Sequence, residues 1–235
     1  MGIVPLFPNR PPRRHSLDVA SRVDKARKIE RLLGIGDRSA LDVLEIGTGS
    51  GAIAQYLGQR HTVDAVDVVD SRLVFDGFRF QVVKDASLPY PDESFDVVIS
   101  NQVIEHVGPR PQQAVHLSEM RRVLKPSGLA YLGAPNRWRL IEPHYKLPFL
   151  SVLPERLRTP YLRAVRGYEY DAYPFEAWTL ERMLRAAGFR FERLGGEAVR
   201  ATLAIERGRA LPLPAGTMTR LQPVMPTLIY RLHRA

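Results

Sequence analysis

Apolar residues recur every three to four positions through Val19, Val23, Ala26, Ile29 and Leu33, which predicts a helix capped by Ser16 and stopped by Gly34 and Gly36. A different rhythm follows. Residues 41–46 form a short apolar run that breaks into Gly47-Thr-Gly-Ser-Gly51, and 52–57 is helical again. Residues 62–68 alternate and end in acid at Asp67; residues 80–83 run up to Asp85. Residues 95–100 are apolar at nearly every position after Asp96, as in a strand covered on both faces. Ala114, Leu117, Met120 and Val123 mark a helix ended by Pro126 and Gly128, and 129–132 is a fifth strand. Leu180, Met183, Leu184 and Ala187 mark a helix closing at Gly188, and residues 189–194 and 198–205 read as two more strands.

Strand and helix alternating at this pace predict an α/β protein: a Rossmann-like, seven-stranded, mostly parallel sheet with helices on both faces. Between 135 and 174 the pattern dissolves into prolines, aromatics and basic residues, which reads as a cap inserted after strand five. Residues 1–15, broken by Pro5, Pro8, Pro11 and Pro12 and lacking an apolar stretch, read as an irregular arm rather than a signal peptide. The tail 208–235 reads as irregular with one short helix, and the whole as a single domain.

Composition narrows the chemistry. With 235 residues, 45% of them hydrophobic and 25% charged, the chain is long and apolar enough to build a core without staples. Having no cysteine, it has no disulfide, thiol nucleophile, zinc–cysteine or iron–sulfur site. No apolar run reaches the roughly 18 residues of a spanning helix, so no membrane span is expected and the cytoplasm is the default location. The net charge of +9 is carried mainly by arginine, spread along the chain with no Lys/Arg run longer than two. That scatter reads as a solvated surface rather than a nucleic-acid footprint, and it favours anionic or polyhydroxylated ligands.

The glycines of Glu45-Ile-Gly-Thr-Gly-Ser-Gly51 let backbone N–H groups and a helix N-terminus approach a ligand. Asp67, at the end of the next strand, is placed to accept two ribose hydroxyls. Gly47, Gly49 and Ala52 also satisfy a dinucleotide pattern, so this loop alone leaves several nucleotide cofactors open. Four ordered motifs decide between them. The segment Leu41-Asp-Val-Leu-Glu-Ile-Gly-Thr-Gly-Ser-Gly51, then Val66-Asp67, Asp85-Ala86 with Leu88-Pro-Tyr-Pro-Asp-Glu-Ser-Phe-Asp96, and Arg121-Arg-Val-Leu-Lys-Pro-Ser-Gly128 resemble the class I S-adenosylmethionine-dependent methyltransferases.

That resemblance implies S-adenosyl-L-methionine as cofactor and S-adenosyl-L-homocysteine as product. It places Glu45 by the methionine amine, with Gly47, Thr48, Gly49 and Gly51 as backbone contacts. Asp67 takes the ribose, Val68, Asp85 and Ala86 the adenine, and Asn101 the methionine end. The segment from Asn136 to Pro154 is similar to bacterial polysaccharide-biosynthesis sugar O-methyltransferases, in particular those of mycobacterial methylmannose polysaccharide synthesis.

A saccharide hydroxyl is therefore the expected acceptor, transferred to with help from a base. His144 is the first choice and His106 the second, with Glu105 beside it. Five of the nine tyrosines fall between 145 and 173, and aromatic faces with polar rims suit sugar rings. Arg137, Trp138, Glu142 and Tyr145 are the candidate acceptor contacts. Glu105, His106 and His144 are also O/N ligands for a divalent metal, a reading not preferred over the base. The alternatives are a quinone- or lipid-biosynthesis methyltransferase, and a non-catalytic module that only binds S-adenosylmethionine. Oligomeric state is open, a homodimer being one option.

Overall fold

The computed structural model describes residues 18–142, 145–208 and 215–235. Helix α1 (Val19–Leu33) is capped two residues later than the sequence suggested: Asp18 accepts the Ala20 N–H at 3.2 Å, and Ser16 lies outside the described residues. Gly34, in the left-handed region at φ 68°, closes it. Then come β1 (Asp42–Ile46), α2 (Ala52–Gly58), β2 (Thr62–Asp67), β3 (Arg79–Val82), β4 (Phe95–Asn101), α3 (Arg110–Val123) and β5 (Leu124–Pro135). The fifth strand thus begins five residues earlier than its apolar run. The Leu-Lys-Pro-Ser-Gly segment belongs to its entrance, where Lys125 Nζ bonds Asp42 Oδ2 and Asp96 Oδ2, both at 2.9 Å, tying the starts of β1, β4 and β5.

The cap is more regular than its composition suggested. It holds a two-stranded hairpin, β6 (Ile141–Glu142) with β7 (Leu147–Pro148), and helix α4 (Glu155–Arg166). Pro154 sits at the N-cap of α4 and Pro160 within its second turn, and both masked it in the sequence. Tyr145, Leu147, Leu150 and Leu162 form a small core of the cap's own.

The remaining elements are α5 (Ala177–Ala186), β8 (Phe189–Arg193), α6 (Gly195–Arg207), α7 (Ala215–Arg220) and β9 (Thr227–Arg234). Two expectations are corrected here. Residues 198–205 are helical: Ala198 and Ala201, one helical turn apart, are buried against the sheet face that α1 also covers. The seventh strand comes instead from the tail, which is not irregular. Leu228, Tyr230 and Leu232 alternate onto one face with no exposed surface, each side chain worth roughly 1.5–3 kcal/mol of burial.

The sheet order is β3-β2-β1-β4-β5-β9-β8, parallel except for β9, which pairs antiparallel with both β5 and β8. Helices α1, α2 and α6 cover one face, α3 and α5 the other, so β1 and β4 are buried on both sides. This is the expected Rossmann-like, seven-stranded α/β fold. Its carboxyl edge collects the ends of β1, β2, β4 and β5, where open sheets of this kind bind ligands. Among the described residues no helix is long and apolar enough to cross a membrane.

Candidate active site

The loop between β1 and α2 is tightly specified. Gly47 donates to Val66 O at 2.8 Å, and the Thr48 hydroxyl donates to the same carbonyl at 3.1 Å. Gly47 has φ 82°, and a Cβ there would stand 2.2 Å from Val103 Cγ2, so packing alone demands glycine. Gly49 differs: a Cβ on it would meet nothing within 4 Å, so the loop faces open space at its middle. Asp67 borders that space. Its Oδ2 accepts the Gly49 N–H at 3.0 Å and its Oδ1 the Val68 N–H at 2.8 Å, which fixes the carboxylate against the loop.

Glu45 is 2% exposed, and its Oε2 has no hydrogen-bond partner. Burial pushes its carboxyl up to about 8, against the opposing pull of Arg22 on α1 and the Ala54 N–H. Asn101, closing β4, likewise has a buried side-chain nitrogen without an acceptor. An unmatched acceptor and an unmatched donor by an open glycine loop suit the amine and carboxylate of an amino-acid end. Nothing in the sequence marked Arg22, because it meets Glu45 from a helix outside the motifs.

The outer contacts are more exposed. Val68 is 55% exposed, Ala86 is half-buried, and Asp85 is exposed with its Oδ1 accepting the Ser87 N–H at 2.8 Å, which holds its carboxyl below the usual range. The Leu88–Asp92 stretch is fastened rather than aimed at a ligand. Arg122 donates to Tyr90 O and Asp92 Oδ1 at 2.8 Å each and to Leu88 O at 3.0 Å.

On the acceptor side, Glu105 and His106 lie in a 3-10 turn after β4. His106 Nε2 is 3.8 Å from Glu105 Oε1, and the Glu105 carboxylate is fully buried. The turn is tied to the cap at Tyr173: its N–H donates to Glu105 O at 2.8 Å, and Gln113 Nε2 donates to Ile104 O and Tyr173 O at 3.1 Å each. His144, the first-choice base, lies outside the described residues.

The four acceptor candidates divide into two groups. Glu142 and Tyr145 are turned into the cap: Glu142 Oε2 accepts the Tyr145 N–H at 2.7 Å, and the Tyr145 hydroxyl lies 3.0 Å from Asp171 Oδ1. The Tyr145 ring stands 6.0 and 6.3 Å from those of Tyr170 and Tyr168. Arg137 and Trp138 instead flank α5, Arg137 bonding Glu176 at 2.7 Å and Trp138 facing Trp178 at 6.4 Å, both rings largely exposed. Among the described residues no three His, Asp or Glu side chains are grouped to hold a metal ion.

With this geometry in place, comparison with known proteins says what the chain is similar to. Residues 44–132 match the family model described as a methyltransferase domain. A probable S-adenosylmethionine-dependent methyltransferase of Mycobacterium tuberculosis is 39% identical over 105 residues, covering 42% of this chain and 37% of that protein. A tRNA N(3)-cytidine methyltransferase of Gallus gallus is 30% identical over 129 residues, 47% of this chain and 35% of that protein. The chain thus spans well under half the length of these curated relatives.

Among solved structures, an S-adenosylmethionine-dependent methyltransferase of Mesorhizobium loti superposes with TM-score 0.62 at 15% identity, covering 90% of this chain and all of that one. The 1,6-didemethyltoxoflavin-N1-methyltransferase of Burkholderia thailandensis, solved with S-adenosylhomocysteine bound, gives 0.56 at 16% identity over 94% and 83% of the chains. The fold is the Rossmann-like methyltransferase fold.

Proposed function

We propose that the protein binds S-adenosyl-L-methionine at the carboxyl edge of β1, β2 and β4 and transfers its methyl group to a hydroxyl of a saccharide. The observation that carries the cofactor half is Glu45, a buried carboxylate with an unmatched oxygen beneath an open glycine loop. Glu45 holds the methionine ammonium, Arg22 and Asn101 face its carboxylate, Asp67 takes the ribose hydroxyls, and Val68, Asp85 and Ala86 border the adenine.

The cofactor supplies an electrophilic methyl on a positively charged sulfur. The protein's own task is to hold an acceptor oxygen in line behind that methyl, exclude water and receive the hydroxyl proton. The bonding of Tyr173 to the turn bearing Glu105 and His106 supports a cap that covers the mouth where this happens. A histidine imidazole takes the proton, His144 in the first place and His106 in the second. Trp138, which is exposed, and the half-buried Arg137 beside it are the contacts for the sugar.

The test is release of S-adenosylhomocysteine with a panel of methylated and unmethylated oligosaccharides, with tRNA and a quinone precursor as competing acceptors. Turnover on tRNA alone would replace the saccharide reading with that of the tRNA relative. A second reading, a quinone or lipid acceptor, draws on the apolar exposure of the cap hairpin at Leu140, Ile141 and Phe149. It requires co-sedimentation with vesicles, which the saccharide reading does not.

A further inference from the structure

Three arginines from separate parts of the chain gather around residues 170–176, ahead of α5. Arg110, opening α3, donates to Gln113 Oε1 at 2.6 Å and to Pro174 O at 3.2 Å, and its guanidinium lies 4.3 Å from the Phe175 ring centre. Arg137, two residues past β5, donates its N–H to Phe175 O at 2.7 Å and Nη1 to Glu176 Oε1 at 2.7 Å. Arg158 on α4 is 5% exposed, donates Nε to Leu153 O at 3.0 Å and lies 5.5 Å from the Tyr170 ring centre.

Bracing explains part of this but not all of it. Arg137 Nε is buried without an acceptor, and among the described residues neither terminal nitrogen of Arg158 is hydrogen-bonded. The charges that face the group are Glu155 and Glu176, with the Tyr170 phenol, so three cations stand against two carboxylates. Arg110 and Arg158 are both held below the usual arginine range, by burial first; the opposing carboxylates pull the other way, and the neighbouring arginines push further down. Clustering partly buried like charges is costly unless an anion closes the group, and guanidinium forks match phosphoryl oxygens best.

We propose that Arg110, Arg137 and Arg158 form a binding site for a phosphoryl group carried by the acceptor, so that the saccharide is a phosphorylated one. The inference rests on the methyltransferase reading only for what brings the anion to this edge. The location supports it, because Arg110 and Arg137 hold residues 174–176, and the adjoining Tyr173 is bonded to the Glu105–His106 turn. A sugar monophosphate, a nucleoside-diphosphate sugar and a polyprenyl-phosphate sugar share the chemistry required.

Inorganic pyrophosphate is the direct probe, titrated calorimetrically at low and high salt, with S-adenosylhomocysteine titrated in parallel. The wild-type chain should bind pyrophosphate, more weakly as salt rises. Arg158→Gln and Arg137→Gln should each weaken that binding by about tenfold or more, while Arg156→Gln, on the same helix, leaves it unchanged. S-adenosylhomocysteine affinity should be equal in all four proteins. Should Arg158→Gln fail to fold, the half-buried Arg137→Gln decides. Pyrophosphate binding that is absent, or untouched by Arg137→Gln, overturns the site while intact S-adenosylhomocysteine binding leaves the methyltransferase reading standing. Failure to bind S-adenosylhomocysteine overturns that reading instead and leaves the pyrophosphate result interpretable. Turnover compared across the three phosphorylated sugars then identifies the source, and turnover on none of them, with full activity on a neutral sugar, refutes the proposal.

Discussion

Cofactor binding should release a proton from Glu45, and the structure gives the size of the effect. The carboxyl is lifted to about 8 by burial, so in the free protein it is roughly nine-tenths protonated at pH 7. An ammonium docking on it requires the ionised form, so binding S-adenosylhomocysteine at pH 7 should expel close to one proton. Between pH 6 and pH 7 the ionised fraction rises about tenfold, and Kd should fall by the same factor, about 1.4 kcal/mol. Titration calorimetry in buffers of different ionisation enthalpy measures the proton directly.

Glu45→Gln removes the titrating group at nearly constant shape. It should bind more weakly, release no proton and lose the pH dependence between 6 and 7. The stability sign is also fixed. A carboxyl raised above its unfolded value binds its proton more tightly in the folded chain, so its contribution is present at low pH and lost as pH rises from about 4.5 to about 8. Glu45→Gln should therefore melt no lower than wild type at pH 9. A wild-type protein whose binding enthalpy is independent of buffer, or a Glu45→Gln protein that still releases the proton, would refute the reasoning.

Other consequences are as specific. Asp67→Ala removes an acceptor for ribose hydroxyls and unpins the Gly49 N–H, and should cost roughly 1.5–3 kcal/mol, a ten- to hundredfold loss of S-adenosylhomocysteine affinity by calorimetry. Gly47→Ala drives a Cβ into Val103 at a positive φ and should both lower the melting temperature and weaken cofactor binding; a variant that melts and binds normally would show that the loop yields. Leu232→Ala, at a fully buried position of β9, should destabilise the fold by about 2–5 kcal/mol in denaturant titration with cofactor affinity intact. His144→Ala should lower turnover by roughly a hundredfold with unchanged cofactor affinity; near-normal turnover there, with His106→Ala inactive, would exchange the two roles.

The residues proposed for the cofactor could be grouped from the sequence because they sit at or next to strand ends in sequence order. Asp67 and Asn101 terminate β2 and β4, Glu45 is the last residue but one of β1, and parallel pairing of those strands brings their ends to one edge. Arg22 was not legible, since a helix before the motifs supplies it and no spacing rule links it to Glu45. The seven-strand count came out right with one strand wrongly placed. Residues 198–205 are a short apolar run that fits strand or helix equally, and tertiary packing of Ala198 and Ala201 decided for helix. The alternation of Leu228, Tyr230 and Leu232 was present, but Pro223, Pro226 and the flanking arginines hid it behind loop composition.

The cap shows why the acceptor side resists sequence reading. Its tyrosines look alike along the chain, yet the fold divides the residues around them by role. Tyr145 is packed against Tyr168 and Tyr170 with its hydroxyl engaged, whereas Trp138 is exposed and Arg137 half-buried next to α5. Helix α4 carries an internal proline, and its buried residues, Arg158 and Leu162, stand one turn apart. One of them closes the cap's apolar core and the other carries a charge into it. Burying a guanidinium is unfavourable unless something anionic meets it. On the proposal of a phosphorylated acceptor, Arg158, which packs the cap, would also fix where the acceptor's charge lies, and specificity would then be set by the interior of the cap as much as by its exposed rings.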